Sequence, residues 1–410
     1  MSKEKRRVPK LRFPGFTEDW EQRKLSQITA RVTRKNGGQS DLPLTISAQD
    51  GLVDQRKYFN RQVASRDMSN YYLIKKGEFA YNKSYSEGYP FGAVKRLDYY
   101  DIGALSTLYI LFEITDKNIS SDFIVSYYMT HLWYKEISKR AAEGARNHGL
   151  LNISTEDFFD SELNIPNSIE EQVKIGNFIK QFDKFITLHQ RKLEHLNLKK
   201  KALLQKLFPK NGERYPELRF PGFPDAWEQR KLSDILVERN EQQVETSEYP
   251  LMSFVQGIGV TPKGERYDRS FLVLDHSKKY KRTELGDFIF SSNNLETGSI
   301  GINKTGKAVI SPVYSIFYGV SIDDSEFIGI MSLLPEFIAK MIRFRQGVVY
   351  GQWRIHEKDF LDISVSIPPV DERTKITKLI LSIEELITLH QRKLEHLQLQ
   401  KKALLQQMFV

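Results

Sequence analysis

The stretch ITLHQRKLEHL occupies residues 186–196 and returns unchanged at residues 387–397. The agreement extends beyond this stretch, since 19 of the 23 residues in 186–208 match the residues 201 positions later. A second repeated passage begins LRFPGF at Leu11 and again at Leu218, and 14 of its 18 positions agree. The long sequences between these passages are not repeated. Self-similarity at so long a period indicates two copies of one structural unit, with constant ends and different middles.

The repeated ITLHQRKLEHL passage lies within a longer pattern in which apolar residues alternate at spacings of four and three. This heptad pattern is typical of a coiled coil. In the first copy the apolar seam consists of Ile175, Ile179, Phe182, Ile186, Leu193, Leu196, Leu203 and Leu207. In the second copy it consists of Ile376, Ile380, Ile383, Ile387, Leu394, Leu397, Leu404 and Met408. His189 and Lys200 interrupt the first seam, and His390 and Lys401 interrupt the second at the equivalent positions.

The two seams predict two long helices, which we place at residues 166–209 and 368–410. We expect these helices to pack antiparallel about a pseudo-twofold axis. A helix of about 33 residues spans about 50 Å, whereas one turn of DNA is about 34–36 Å, so the pair would act as a spacer between two domains on one duplex. A dimerisation helix or the core of a simple helical bundle is the alternative.

The leading segments, residues 11–28 and 218–235, each place a Pro-Gly turn between phenylalanines and then a tryptophan. Identical polar side chains follow both tryptophans, which packing alone does not explain, so we predict a surface that binds the same partner twice. The predicted partner-binding residues are Trp20, Glu21, Arg23, Lys24, Trp227, Glu228, Arg230 and Lys231. For the two tryptophans, the alternative that their size favours is a buried role as the anchor of each domain.

Short strand-like runs separated by Gly, Asn and Asp turns fill both middles, and a helical pattern stands near the end of each. A Gly-acid-Phe step recurs at residues 77–79 and 286–288, so both middles are predicted to share one fold. The predicted fold class is α+β, with two tandem α/β domains joined by two long antiparallel coiled-coil helices. The predicted boundaries are 1–165 for the first leading segment and domain, 166–209 for the central helix, 210–367 for the second leading segment and domain, and 368–410 for the C-terminal helix.

A net charge of +9 indicates an anionic partner, and nucleic acid is the first candidate. Side chains suited to bases and phosphates collect after each Gly-acid-Phe strand and again before each helix junction. In the first domain the candidates are Asn82, Lys83, Tyr85, Arg146, Asn147 and His148. In the second domain they are Ser291, Asn293, Asn294, Gln352, Arg354 and His356. Loops rich in Asn, Ser and Gly also occur as ordinary turns, which is the alternative for each residue.

Several classes of protein are excluded by residues that the chain lacks. It has no cysteine, which excludes disulfides, thiolate nucleophiles and sulfur-dependent zinc sites. Its eight histidines do not cluster with carboxylates at ligand spacing, so no metal site is predicted. No apolar run is long enough to span a bilayer, and no apolar run follows the basic first residues, so we expect a cytoplasmic protein.

No arrangement of catalytic residues is found along the sequence. The pair Pro368-Pro369 lacks the flanking residues of an adenine-methyltransferase loop. Residues 301–307 match the GxxxxGK pattern, but Ala308 stands where a magnesium-binding hydroxyl residue belongs, and a β-branched run follows in place of a helix. We therefore predict a turn between two strands there, and a protein without catalytic residues of its own.

The order of these features resembles the specificity subunit of type I restriction-modification systems. The resemblance covers nearly the whole chain and rests on a Trp-Glu-x-Arg-x-Leu motif, an Ile-Pro step, a Glu-Gln junction and a long helix. The first copy has these residues at Trp20, Glu21, Arg23, Leu25, Ile165, Pro166, Glu171 and Gln172. The second copy has them at Trp227, Glu228, Arg230, Leu232, Ile367, Pro368 and Glu372, and Arg373 stands where glutamine is expected.

The resemblance implies that both middles are target recognition domains, each recognising one half of a bipartite, asymmetric DNA site, while the helices set the gap between the halves. It also implies double-stranded DNA, two modification subunits and two restriction subunits as partners. S-adenosylmethionine, ATP and Mg would then belong to those partner subunits, with no cofactor bound by this chain. The alternatives are a coiled-coil adaptor that binds proteins without DNA specificity, and a stand-alone enzyme.

Overall fold

The structure is a computed structural model, and it describes residues 6–47, 50–60, 64–84, 88–141, 151, 153–210, 212–262, 278–293, 295, 299–348 and 352–410. The chain forms two compact units. The first unit comprises Met1–Gln190 with Arg392–Val410, and the second comprises Arg191–Gln391. Each unit therefore contains one variable middle together with a segment of each long helix.

The first half of the chain contains ten strands and five α-helices among its described residues. The strands are β1 (Glu21–Lys24), β2 (Thr29–Val32), β3 (Leu44–Ser47), β4 (Gly51–Asp54), β5 (Tyr72–Lys75), β6 (Phe79–Asn82), β7 (Ala93–Arg96), β8 (Ile102–Leu105), β9 (Ile110–Ile114) and β10 (Glu162–Ile165). The helices are α1 (Gln55–Tyr58), α2 (Ser121–Tyr127), α3 (Leu132–Arg140), α4 (Thr155–Phe159) and α5 (Ile169–Leu207).

The second half has a similar order of elements. Its strands are β11 (Glu228–Lys231), β12 (Leu236–Glu238), β13 (Gln242–Gln243), β14 (Met252–Val255), β15 (Gly259–Pro262), β16 (Tyr280–Thr283), β17 (Phe288–Phe290), β18 (Ile300–Ile302), β19 (Ala308–Ile310), β20 (Ser315–Gly319), β21 (Gln346–Val348), β22 (Gln352–Arg354) and β23 (Ser364–Ile367). Its helices are α6 (Ile322–Met331), α7 (Pro335–Ile342), α8 (Glu357–Leu361) and α9 (Val370–Met408).

A four-stranded antiparallel sheet lies at the centre of each unit. Its strand order is β2-β9-β6-β7 in the first unit and β12-β20-β17-β18 in the second. Smaller sheets flank it, namely β3-β4 and β5-β8 in the first unit and β14-β15, β13-β16-β19 and β21-β22 in the second. The equivalent strand order confirms the predicted fold class of two tandem α/β domains whose sequences differ.

The Gly-acid-Phe steps each place a phenylalanine in the core of the central sheet. Phe79 of β6 lies opposite Phe112 of β9, and their ring centroids are 5.1 Å apart. Phe288 of β17 lies opposite Phe317 of β20 in the same manner. Each ring is fully removed from water, a burial that contributes about 1.5–3 kcal/mol per side chain.

The acid of each step forms an ion pair with an arginine that follows β2 or β12. Glu78 accepts hydrogen bonds from Nη1 and Nη2 of Arg34 at 3.3 and 3.0 Å. Asp287 accepts hydrogen bonds from Nε and Nη2 of Arg239 at 2.8 and 3.1 Å. Burial raises the pKa of Asp287, and the hydrogen bonds from Arg239 and from the backbone of Glu284 oppose that rise. The repeated acids are therefore part of the internal structure of each domain.

The leading segments are held against the long helices in the same way in both copies. Gly15 and Gly222 each have φ of +93°, in the left-handed region that favours glycine. In both copies, the phenylalanine after the turn lies against a lysine of the following helix. The distance from the lysine Nζ to the ring centroid is 4.9 Å for Lys174 with Phe16 and 4.8 Å for Lys375 with Phe223. Each leading segment continues into a strand that pairs with the strand before its helix, β1 with β10 and β11 with β23.

A buried arginine–glutamate pair strengthens this attachment in each unit. Arg12 donates to both carboxylate oxygens of Glu171 at 2.7 and 2.8 Å. Arg219 donates to both carboxylate oxygens of Glu372 at 2.9 and 2.8 Å. The side chains of both glutamates are only 1% exposed. Bidentate pairs of this kind combine charge with fixed geometry, so they hold the turn on the first turn of its helix.

The residue after each of these glutamates connects the helix to its domain through different chemistry in the two copies. The side-chain oxygen of Gln172 accepts a hydrogen bond from the backbone N–H of Ser120 at 2.9 Å, at the N-terminus of α2. Arg373 instead forms an ion pair with Asp324 at 2.6 Å, in the first turn of α6. Arginine in place of the expected glutamine therefore preserves the connection and changes only its chemistry.

The core of each unit is completed by the end of a long helix. Trp20 lies 5.8 Å from Phe123 and 6.1 Å from Phe409, measured between ring centroids. In the second unit, Trp227 lies at the same two distances from Phe208 and Phe327, respectively. The C-terminal end of α9 thus fills the first core, and the end of α5 fills the second.

The helices α5 and α9 each contain 39 residues, and the predicted seam positions are buried or partly buried along both. Within the first unit, Lys401 lies beside Asp183, and Met408 shares a core cluster with Ile175. Rising residue numbers on α9 therefore accompany falling numbers on α5, so the segments are antiparallel. The helix segments of the second unit are also antiparallel, because Lys200 lies beside Glu384 and Leu207 shares a core cluster with Ile376.

Candidate nucleic-acid interface

In the second unit, the structure brings together two groups of candidate residues that are far apart in sequence. The loop after β17 contacts the segment that includes β22. Asn293 Oδ1 accepts a hydrogen bond from the backbone N–H of Trp353 at 2.5 Å. Ser292 Oγ accepts one from the backbone N–H of Ile355 at 2.9 Å. These two bonds join segments about sixty residues apart into one polar surface.

The residues of this surface differ in how much of them solvent reaches. The side chain of Arg354 is 56% exposed, and His356 is also exposed. Ser291 is 4% exposed, and its backbone N–H donates to the carbonyl of Ser299 at 2.8 Å, so its burial leaves little surface for a base. Gln352 lies in β22, and Asn294 lies outside the described residues.

Strands β21 and β22 form a two-stranded ribbon at this surface. Gln346 lies opposite Arg354, and Gly347 lies opposite Trp353. Trp353 is 49% exposed, and the position of a Cβ on Gly347 has no atom within 4 Å. A two-stranded ribbon fits the major groove of DNA, where arginine side chains contact guanine edges. The exposed guanidinium of Arg354 on this ribbon is therefore suited to DNA.

Glu357 lies beside the exposed arginine of this surface. Its Oε2 lies 3.7 Å from Nη2 of Arg354, and its Oε1 accepts a hydrogen bond from Ser315 Oγ at 2.9 Å. Lys281 lies 3.7 Å from the same carboxylate. Burial acts to raise the pKa of Glu357, but the backbone and Ser315 hydrogen bonds and the lysine charge outweigh it and lower the pKa. The carboxylate therefore stays ionised at neutral pH and places a negative charge near the Arg354 guanidinium.

In the first unit, the loop after β6 occupies the equivalent place. The carbonyl of Lys83 accepts a hydrogen bond from the backbone N–H of Leu151 at 3.0 Å, and Lys83 Nζ donates to the carbonyl of Ile153 at 3.4 Å. Asn82 Oδ1 accepts from the backbone N–H of Ser84 at 3.0 Å. The remaining predicted residues of this domain lie outside the described residues, namely Tyr85, Arg146, Asn147 and His148.

Trp353 was not among the residues predicted from sequence. Its sequence signal is a tryptophan between glutamine and arginine in a polar stretch, without the alternating apolar neighbours of a buried strand. Trp20 and Trp227 are also followed by the polar residues Glu-Gln-Arg-Lys, yet they are only 2% and 0% exposed. Polar neighbours alone therefore do not identify an exposed tryptophan.

The predicted partner-binding residues separate into buried and exposed groups. Trp20 and Trp227 are a correction, because they are enclosed in the cores and present no surface to a partner. Lys24 pairs with Asp160 at 2.6 Å, and Lys231 pairs with the equivalent Asp362 at 2.9 Å, so an internal contact accounts for this repeated charge.

The other charged residues of the leading strands differ between the copies. Arg23 pairs with Asp116 at 2.8 Å, whereas Arg230 pairs with Glu228 at 2.9 Å. Glu21 is exposed and has no hydrogen bond or ion pair to its side chain in the described part of the chain. Identical residues at these positions thus do not mean identical surfaces.

A repeated set of exposed apolar side chains lies outside the helix seams, and sequence analysis did not single it out. We call it the helix apolar set. In the first unit it consists of Phe185, Leu188 and Leu399, which are 52%, 53% and 67% exposed. In the second unit it consists of Leu386, Leu389 and Leu198, which are 44%, 60% and 67% exposed. Large exposed apolar side chains that recur at equivalent positions mark surfaces for protein contact.

The GxxxxGK stretch forms the predicted turn between strands, since residues 303–307 connect β18 to β19. Asn303 organises this turn by accepting hydrogen bonds from the backbone N–H groups of Thr305 and Gly306 at 3.0 and 3.1 Å. The described residues contain no group of His, Asp and Glu able to hold a metal ion, and no helix among them has the length and hydropathy to cross a membrane.

Comparison with known proteins gives matches that agree with one another. The family model described as type I restriction modification DNA specificity domain matches residues 18–198. The chain is 23% identical to a putative type I restriction enzyme MjaX specificity subunit of Methanocaldococcus jannaschii, over 97% of this chain and 94% of that protein. It is 22% identical to the MjaVIII specificity subunit of the same organism, over 74% of this chain and 72% of that protein.

The fold also occurs in a solved structure. The crystal structure of the type I restriction-modification system S subunit from M. genitalium matches with a TM-score of 0.62 and 14% identity, covering 98% of this chain and 99% of that one. Two variable sheet domains with repeated long helices are thus a fold that this chain shares with that S subunit. Residues 18–198 match the family of type I restriction modification DNA specificity domains, and nearly the whole chain is similar to a specificity subunit of a type I restriction enzyme. This confirms the predicted family and function and does not favour the adaptor or the stand-alone enzyme.

Proposed function

We propose that each domain recognises one half of a bipartite, asymmetric DNA site, and that the paired helices set the unread gap between the halves. This proposal rests on the loops after β6 and β17. Each of these equivalent loops contacts the later segment of its own unit, but the two loops present different side chains. Lys83 contacts the chain after residue 150 in the first unit, whereas Asn293 contacts β22 in the second. Equivalent positions with different donors and acceptors recognise different bases.

The proposal extends to the partners of the chain. Two modification subunits would bind the helix apolar set, one copy on each unit, and two restriction subunits would join the resulting complex. S-adenosylmethionine, ATP and Mg would be bound by those subunits and not by this chain. The complex would act in the cytoplasm, where chromosomal and incoming DNA are both accessible. Apolar exposure at equivalent helix positions in the two units supports binding of the same kind of partner twice.

The test is single-molecule methylome sequencing of cells that express the chain with its cognate modification subunit, compared with cells that lack only this chain. We expect a split, adenine-methylated motif that appears only when the chain is present. Absence of any new motif, with the complex shown to assemble, would refute the proposed recognition function and support a protein-binding adaptor.

Substitutions in the second domain assign half-sites to domains. Arg354→Ala should relax recognition in one half-site and leave the other unchanged, since loss of a bidentate base contact costs about 1–3 kcal/mol, or about 5- to 150-fold in discrimination. Lys83→Ala in the first domain is the reciprocal variant and should affect the opposite half-site. If either variant lost discrimination equally at both half-sites, the result would indicate a misassembled complex and not the loss of a base contact.

A further inference from the structure

A carboxylate on α9 is held between two lysines in the second unit. Glu384 Oε1 accepts a hydrogen bond from Lys200 Nζ on α5 at 2.7 Å. Glu384 Oε2 accepts one from Lys304 Nζ at 2.5 Å, and Lys304 lies in the turn between β18 and β19. One carboxylate therefore joins the seam of the helix pair to the edge of the recognition domain.

The first unit contains the equivalent carboxylate and seam lysine. Asp183 lies 201 positions before Glu384, and it accepts a hydrogen bond from Lys401 Nζ at 2.5 Å. Lys401 also contacts Met129 Sδ at 3.2 Å. A domain lysine also lies in this region, since burial and then the charge of Lys401 lower the pKa of Lys95 in β7. The two lysines that interrupt the seams, Lys200 and Lys401, thus form ion pairs between the helices.

The charges in the second unit are partly shielded from solvent. The side chains of Glu384, Lys200 and Lys304 are 20%, 22% and 35% exposed. Burial acts to raise the pKa of Glu384, but hydrogen bonds from the two lysines outweigh it and lower the pKa. The glutamate is therefore ionised at neutral pH.

Lys304 extends from a turn that is itself rigidly held. The side chain of Asn303 is fully buried and bonds the backbone of the turn. Thr305 Oγ1 donates to the carbonyl of Val260 at 2.6 Å and accepts from the backbone N–H of Val260 at 3.0 Å. Movement of Lys304 relative to the helix therefore requires movement of the β18–β19 edge of the domain.

We propose that the Lys200–Glu384–Lys304 cluster sets the tilt of the second recognition domain on its helix and thereby restricts the gap lengths that the subunit accepts. This inference rests on the proposed bipartite recognition. Lys200 couples the carboxylate to the register of the helices, and Lys304 couples it to the domain. Lys304 is accordingly a positioning residue, which affects where the domain meets DNA without contacting a base.

Small rotations of the domain are sufficient to change the accepted gap. A rotation of about 10° at a distance of about 20 Å, comparable to the size of such a domain, displaces its loops by about 3.5 Å. The rise of one base pair is about 3.4 Å. Loss of the connection to Lys304 should therefore allow gaps one base pair longer or shorter than the native gap.

The test compares Lys304→Gln with Lys307→Gln in the complete complex with the modification subunit. Lys307 lies in the same turn, but it pairs with Glu248 at the surface, where the two side chains are 51% and 63% exposed. The substrates are duplexes with both half-sites fixed and the gap varied by up to two base pairs. Methylation of each duplex is measured relative to the native gap.

We expect Lys304→Gln to raise relative methylation at the neighbouring gap lengths by about fivefold, the size expected for loss of one partly screened ion pair. Lys307→Gln should leave the gap profile unchanged, and Lys304→Arg should restore the native profile. An unchanged profile in Lys304→Gln, with the native gap still methylated, would overturn the inference and leave bipartite recognition intact. Failure of the wild-type chain to direct any split-site methylation would instead refute the proposed function.

Discussion

Removal of Arg219 tests the role of the leading segment in the second unit. Substitution to alanine leaves the Glu372 carboxylate buried without its bidentate partner, and breaking a buried pair in this way costs about 3–5 kcal/mol. Glu372 lies in the first turn of α9, where the helix dipole stabilises a negative charge by about 0.3–1 kcal/mol. Because the helix dipole offsets part of this cost, we expect the free energy of unfolding to fall by about 3 kcal/mol, the lower end of that range.

This loss should be local to the second unit. For a unit of roughly 200 residues, about 3 kcal/mol corresponds to a fall in melting temperature of about 6–12 °C. Hydrogen exchange followed by mass spectrometry should show faster exchange in the β11–β23 pair of Arg219→Ala and unchanged exchange in the first unit. Thermal unfolding of the purified chain gives the magnitude.

Arg230→Ala is the matched control, because Arg230 and Glu228 form a pair whose side chains are 50% and 66% exposed. Exposed pairs contribute about 0–1 kcal/mol, so this variant should unfold close to wild type. Combining Arg219→Met with Glu372→Gln should recover much of the loss, since no unpaired buried charge then remains. Equal effects of Arg219→Ala and Arg230→Ala would refute the reasoning.

Further predictions concern the first core, the recognition loop and pH. Phe409→Ala should destabilise the first unit by about 3–5 kcal/mol through cavity formation; urea unfolding with an unshifted midpoint would contradict this. Asn293→Ala should release the backbone N–H of Trp353 and alter only the second half-site in a methylome, so loss of both half-sites would argue against a local role. Because its pKa is lowered on folding, Glu384 stabilises the fold above the unfolded pKa of about 4.3, and this stability disappears as pH falls through the folded pKa. Glu384→Gln should weaken the acid dependence of unfolding, and a slope equal to that of Glu385→Gln would exclude this contribution.

The features that sequence analysis predicted are those with a local period. The alternating spacing of four and three placed Ile179 and Ile380 in the helix seams, and both are fully buried. The Gly-acid-Phe repeat correctly indicated that the two middles share a fold. These patterns depend on neighbouring residues along one helix or strand, so they are visible without knowledge of tertiary structure.

The features that were missed depend on pairs distant in sequence. Arg12 and Glu171 are 159 positions apart, and nothing near either residue identifies its partner. The burial of Trp20 depends partly on Phe409, near the opposite end of the chain. The exposure of Trp353 likewise results from a hairpin that presents it to solvent, which residue type alone does not reveal.

The composition of the two units has a consequence for folding during synthesis. The second unit, Arg191–Gln391, is one continuous stretch, so its whole core has been translated before the last residues of the chain are made. The first unit lacks Met408, the last residue of α9, and the Phe409 that follows it until translation is nearly complete. At about 5–20 residues per second, the N-terminal domain would wait roughly 10–40 seconds after Gln190 is added, which reverses the usual order in which N-terminal domains fold first. The nascent first domain would meanwhile expose the apolar surface that these residues later cover, and exposed apolar surface of this kind favours aggregation.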